Sequence, residues 1–251
     1  MKKNNLYKYC LRLADNALIL GQRLSENCSK GPFLEEDLAQ TNIALDLIGR
    51  AQALFNYSSK LNENNLSEDD IAYRRDEIDY LNCLLVEQPN QDFAFIIARQ
   101  FYYSAYDCLL YTELTKSKDV TLASIAKKAV KESNYHLVHT SDWVIRLGNG
   151  TVESKARMQH AIDSLWTYTD ELFEQDETDL ELLKNNFVPN VLDFKTNWLN
   201  TISTTLKNAS LKLPENTFMM YGGRNGKHTE NLGHILSEMQ YLQRAYPDAK
   251  W

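Results

Sequence analysis

The sequence predicts an all-α protein, a bundle of long helices with shorter extra ones, on three observations. Apolar residues recur at helical spacing through several long segments. Glycine and proline are scarce, 9 and 5 in 251 residues, and each proline (Pro32, Pro89, Pro189, Pro214, Pro247) falls beside a polar or small-residue break. That is the pattern of helices joined by short connections. The stretch Leu122–Gly150 reads as one amphipathic helix with a polar step, Glu132, Ser133, Tyr135 and His136, in its middle. No composition shift forces a division, so a single domain over residues 1–251 is expected, long enough to bury a sizeable core.

In order, Leu6–Leu24 is expected as the first helix, with Leu6, Cys10, Leu13, Ala17, Leu20 and Leu24 on one stripe. Asp15 and Asn16 interrupt it. Asn16 falls close to the stripe and, if buried, needs a partner, because an unpaired buried amide costs about 1–3 kcal/mol. After the turn at Ser29–Pro32, Leu34–Lys60 is the second helix, opened by Glu35, Glu36 and Asp37, whose charges suit a helix N-terminus. Ala39, Ile43, Asp46, Ala53 and Tyr57 form one line along it. Asn62–Asp70 is Asn-rich and acidic and reads as a solvated loop, and Ile71–Glu87 as short helical pieces before the break at Pro89.

Asp92–Lys116 is the next long helix. Its aromatic load, Phe101, Tyr102, Tyr103, Tyr106 and Tyr111, points to a helix–helix or subunit interface rather than to a redox relay. In Leu122–Gly150 the apolar positions are Ile125, Ala129, Leu137, Val144 and Leu147, and Gly148-Asn149-Gly150 is expected to stop the helix in the left-handed manner. Thr151 can cap a helix running to about Phe173, with Met158, Ile162, Leu165, Trp166 and Leu172 inward. An acidic stretch, Glu171–Glu181, precedes a helix over Val191–Ala209. Beyond the Gly-rich segment Pro214–Glu230, the helix Leu232–Ala245 closes the chain before Pro247 and Trp251.

A net charge of −7 leaves no excess of Lys and Arg to displace counterions from phosphates, which argues against nonspecific nucleic-acid binding. The four cysteines, Cys10, Cys28, Cys83 and Cys108, are far apart and form no Cys-x-x-Cys pair, as expected of reduced thiols in a cytoplasmic protein. The basic N-terminus lacks the apolar core of a signal peptide, and no run approaches the ~18 apolar residues of a membrane span.

His136 lies three residues past Ser133, where a carboxylate-bridged metal protein places the His of a Glu-x-x-His pair. Here the pair reads Ser133-x-x-His136. On the second helix the corresponding pair reads Asp46-x-x-Gly49, with a shorter carboxylate and no imidazole; a buried salt bridge or interhelical hydrogen bond is the simpler role for Asp46. Gly222–Lys227 offers backbone amides and the cations Arg224 and Lys227. A Walker A loop, however, requires Gly where Tyr221 stands and Ser or Thr where His228 stands. Glu230 and His234, one turn apart, read as surface residues. His136 and His139 make no zinc-protease motif, since no His-Glu-x-x-His occurs.

Five stretches, LRLADNALILGQRLSE, LAQTNIALDLIGRAQ, LLVEQPNQDFAFIIARQ, KESNYHLVHTSDWVIRLGNGT and GGRNGKHTENLGHILSEMQYLQRAYPDAKW, resemble the C subunits of bacterial phenylacetyl-CoA ring epoxidases, the phenylacetate-CoA oxygenase complexes. They span the chain nearly end to end, diverging near Asn62–Asp70 and Glu177–Asn197. The resemblance implies a ferritin-like helical bundle in a hetero-oligomer with a homologous catalytic A subunit and the other subunits of the complex. The A subunit is the one expected to hold di-iron, activate O2 and epoxidise the aromatic ring. It also implies that this chain is a structural subunit with no catalytic, cofactor-binding or metal-binding residues, Asp46, Gly49, Ser133 and His136 being former ligand positions. The residues agree, because a di-iron bundle needs Glu from two helices plus two Glu-x-x-His pairs. Shifting the second pair to Glu132-x-x-Tyr135 recovers a carboxylate and loses the imidazole. Two alternatives remain: an active di-metal chain using Asp46, Glu132, His136 and a carboxylate such as Asp107, or a CoA-binding helper using Arg224 and Lys227. On the structural reading, Asp46 and His136 are expected to face one interior, with nearby cations, His136 itself, or hydrogen bonds from Tyr or Asn16 compensating the carboxylates.

Overall fold

A computed structural model describes residues 2–215, 217–247 and 249, so the terminal Trp251 lies outside the described residues. Among the described residues there is no strand. The helices are α1 (Lys2–Ser25), α2 (Leu34–Leu61), α3 (Glu68–Tyr73), α4 (Phe93–Leu114), α5 (Val120–Gly148), α6 (Val152–Trp166), α7 (Glu177–Lys184), α8 (Lys195–Asn208), α9 (Glu230–Met239) and α10 (Tyr241–Ala245). The fold class is the expected one, an all-α, ferritin-like helical bundle with extra helices. Among the described residues no helix is long and apolar enough to cross a membrane. The chain contacts resolve into two compact units, Met1–Pro89 with Gly222–Trp251, and Asn90–Tyr221.

The first unit is built on α1 and α2. They pack closely at Gly21, where a Cβ would lie 2.9 Å from Ile48 Cγ1 and 3.3 Å from the Ala44 carbonyl oxygen. All six stripe residues expected on α1 are buried, and burial extends around nearly the whole helix from Tyr9 to Leu24. Asn16 has the partner it needs, its Oδ1 accepting from the Cys83 amide at 2.8 Å.

The inward row of α2 is corrected. It runs through Gln40, Ile43, Ala44, Leu47, Arg50, Ala51, Leu54 and Phe55. Asp46 is half-buried and Ala53 exposed. One residue turns a helix by about 100°. Placing Leu47 and Leu54 inward removes more apolar surface from water than Ala39 and Ala53 would, so the helix settles one position on. The segment expected as loop already contains the start of α3, where Ser67 and Asp70 form a reciprocal capping box. The closing helix is divided into α9 and α10 at Gln240, whose buried amide donates to the Arg75 carbonyl and to Tyr80 Oη, each at 2.9 Å.

The second unit is built on α4 and α5, which run antiparallel. Phe93 meets Trp143 edge-on at 5.0 Å near one end, and Asp107 meets Ser133 further along. The aromatic residues of α4 are core. Tyr102 is wholly buried beside Trp166 and Trp198, donates to the Ile162 carbonyl at 3.1 Å, and its own carbonyl accepts from Trp198 Nε1 at 3.1 Å. Phe173 stands edge-on to both Tyr106 and Trp198. Phe101, Tyr103 and Tyr111 are buried as well. Of the two uses expected of these rings, helix–helix packing is the one seen, and a subunit surface is not: they fill the unit's own interior.

Helix α6 ends at Trp166, and a separate 3-10 turn, Asp170–Phe173, carries the chain onward. The acidic stretch contains α7, held at its start by Asp176, whose carboxylate accepts from the Thr178 and Asp179 amides. A 3-10 turn, Val191–Phe194, precedes α8. The left-handed stop expected after α5 is absent. Among the described residues the glycines with positive φ are Gly222 and Gly226. Gly148 is needed for space instead, because a Cβ there would lie 2.3 Å from the Ala209 carbonyl oxygen.

Candidate functional site

In the second unit the inward row of α5 is Leu122, Ala126, Ala129, Ser133, His136, Thr140, Val144 and Gly148, a three-four spacing that keeps one side of the helix covered. Between the two possible registers this spacing decides. Ser133 and His136 point inward and Tyr135 is about half exposed, while Glu132, its side chain only 12% exposed, lies 3.4 Å from Lys128. The Glu132-x-x-Tyr135 alternative therefore keeps a largely covered carboxylate but turns its second residue outward. Opposite this row, α4 presents Gln100, Ser104 and Asp107, all buried. The Ser133 hydroxyl donates to Asp107 Oδ2, Gln100 Nε2 donates to Ser104 Oγ at 2.9 Å, and Thr140 Oγ1 donates back to the His136 carbonyl at 2.7 Å. The result is a buried polar seam in which Ser133 on α5 is bonded to Asp107 on α4, with the His136 side chain buried next along α5.

In the first unit Asp46 is half-buried beside the inward row, and Gly49 faces open space, with nothing within 4 Å of where a Cβ would be. Asp15 is the fully buried carboxylate of this helix pair. Arg75 donates to it through both terminal nitrogens, and the Leu81 amide donates to Oδ2 at 2.9 Å. Burial disfavours a charged Arg75, but the Asp15 carboxylate outweighs it, and the guanidinium pKa is raised. The Arg75 guanidinium also stacks over the Tyr80 ring at 4.2 Å. Among the described residues no group of three or more His, Cys, Asp or Glu side chains is placed to hold a metal ion.

The Gly-rich segment is a strap laid on the backbone of residues 78–84. Gly226 is left-handed, and a Cβ on it would lie 2.2 Å from the Ile78 carbonyl oxygen; one on Gly223 would lie 2.3 Å from that of Asn82. Asn225 and Lys227 donate their amides to the Gly222 carbonyl and Gly226 donates to Gly223, so these amides do not form an open anion cradle. Glu230 and His234 are exposed on α9, as expected. Directly after the strap lies a cluster the sequence did not reveal. The Glu87 carboxylate, fully buried, accepts from Asn82 Nδ2 at 2.8 Å, from the Thr229 amide at 2.7 Å and from Thr229 Oγ1 at 2.8 Å, and faces His228 Nδ1 at 2.8 Å. His228 Nε2 lies 2.9 Å from the Tyr80 carbonyl oxygen. Glu87 and His228 are 141 residues apart, and the visible signals were only a Glu ahead of Pro89 and a His that spoiled a phosphate motif.

The profile of the family described as phenylacetic acid catabolic protein matches residues 1–251. The chain is also similar to the C subunit of the 1,2-phenylacetyl-CoA epoxidase of Escherichia coli (strain K12). The two are 44% identical over 248 residues, 99% of this chain and 100% of that relative.

Proposed function

Because the chain belongs to the phenylacetic acid catabolic protein family, we propose that it is the structural subunit of a multicomponent phenylacetyl-CoA ring epoxidase, supporting a homologous subunit that carries the di-iron centre and performs the oxygen chemistry. The observation that carries this reading is similarity along the whole length to a relative named as the C subunit of such an epoxidase, in a chain whose would-be ligand pairs read Asp46-x-x-Gly49 and Ser133-x-x-His136.

The residues do not fit a resident di-iron pair, which takes Glu from two helices and two Glu-x-x-His pairs. On α5 the carboxylate position is a serine whose hydroxyl donates to Asp107. On α2 the histidine position is a glycine facing open space. Asp15 already has a guanidinium and a backbone amide. Asp15 is thus compensated by the chain's own guanidinium, as buried charge requires.

Co-expression with the homologous catalytic subunit followed by size-exclusion tests the proposal. A stable hetero-oligomer is expected, and clean separation into unassociated chains contradicts it. Within the assembled complex, His136→Gln is expected to leave epoxidase turnover largely intact. Loss of turnover in a complex that still assembles normally would give the chemistry back to this chain.

A further inference from the structure

We infer that the strap Gly222–Thr229 is a proton-strengthened latch: His228 carries a proton on each ring nitrogen, and loss of one of them weakens the strap's hold on the segment Ile78–Glu87. The strap's backbone lies flat on residues 78–84 at the two glycines, Asn225 and Lys227 are exposed, and Arg224 is half-buried. No large apolar side chain of the strap enters the core, so polar groups, those at its end among them, carry its attachment, and such segments open locally at low cost.

Both nitrogens of His228 face acceptors. The Tyr80 carbonyl can only accept, and an ionised Glu87 can only accept. Three further donors, Asn82 Nδ2, the Thr229 amide and Thr229 Oγ1, converge on Glu87, so both of its oxygens act as acceptors. A neutral imidazole has one N–H and one lone pair, so it would set a lone pair against an oxygen at 2.8 or 2.9 Å. The imidazolium satisfies both contacts.

The charged and titratable groups around the ring act in the same direction. Glu87 touches it, and the Glu77 carboxylate adds favourable charge from the segment beneath the strap. Arg23 on α1 donates to the Glu87 carbonyl at 3.0 and 2.9 Å rather than to its carboxylate, and is itself paired with Glu26. Arg75 sits over the Tyr80 ring, bound to Asp15. Lys227 and Glu230, the chain neighbours, are exposed. Burial alone would lower the imidazole pKa, but the hydrogen bond and charge of Glu87, with the Tyr80 carbonyl and Glu77, raise it above the ordinary 6.5.

The sign follows. With a raised folded pKa, the latch is at full strength below pH 6.5, where the imidazole is protonated whether the strap is closed or open. Closure then weakens by about tenfold per pH unit between 6.5 and the folded pKa, and levels off above it. Release would also loosen the start of α9, since Thr229 precedes that helix and the Asn231 carbonyl accepts from Arg23 at 3.1 Å.

The test uses the full-length, nitrogen-15-labelled chain, following the His228 ring nitrogens and the protection factors of the Lys227 and Thr229 amides across the same pH series. An imidazolium titrating above pH 6.5 is expected, with protection at the strap falling by about tenfold per pH unit towards that midpoint while α5 amides hold. A single neutral tautomer of His228 at pH 6.5, or strap protection that stays constant as His228 titrates, overturns the latch. His228→Gln should give a weaker strap whose protection no longer responds to pH in this range, and a retained response overturns it equally. Should that variant fail to fold, the titration of the unaltered chain decides alone.

Discussion

Ser133 stands where a Glu-x-x-His pair would place its carboxylate, and its hydroxyl instead donates to Asp107 Oδ2 on the facing helix. Ser133→Ala is expected to lower unfolding stability by about 1–3 kcal/mol, because it strips a donor from a buried carboxylate while adding no strain. A urea or thermal unfolding series reads this, and an unchanged midpoint would mean that Asp107 does not depend on Ser133. In the first unit Asp15→Asn removes one side of a buried ion pair and leaves the Arg75 charge without its carboxylate, for an expected loss of about 3–5 kcal/mol in the same assay. Stability carried by His228 should be complete below pH 6.5 and disappear as pH rises through its raised folded pKa. At this scale the sequence exposed needs more readily than partners. The amide of Asn16 near an apolar stripe announced that it must be bonded, but its partner, the Cys83 amide, is 67 residues away. The ligand-like pattern at Ser133 and His136 was visible, whereas Asp15 with Arg75 and Glu87 with His228 required the chain to be folded before either pair existed.

Helices with long apolar repeats, α1, α2, α4 and α5, were legible within a few residues, because burial of one face imposes the repeat. Where several inward registers were possible, composition decided: α2 turned one position to bury Leu47 and Leu54, which put Asp46 at the margin. Helix α7 was missed because its identity rests on a cap, Asp176 with Asp179, in a segment read for its charge. The end of α5 was read from its glycines as a left-handed stop, when Gly148 serves the close approach of Ala209. Gly148→Ala should therefore force the ends of α5 and α8 apart and cost about 1–3 kcal/mol, the usual range for overpacking. Unchanged stability would show that the contact yields without cost.

For the molecule as a whole, the expectation of one domain meets a chain whose contacts group into two units, the first completed by the C-terminal segment that returns through the Gly-rich strap. The aromatic content of α4 gave the sequence its hint of a partner surface, and those side chains proved to be core. The case for a structural role in an epoxidase complex rests instead on full-length similarity to an epoxidase C subunit and on would-be ligand pairs, Asp46-x-x-Gly49 and Ser133-x-x-His136, that each lack a ligand. The iron content of this chain, expressed with iron in excess and purified without any partner, tests that role most directly. No stoichiometric iron is expected, and a bound iron pair in each chain would contradict the structural assignment and make the chain a metal enzyme in its own right.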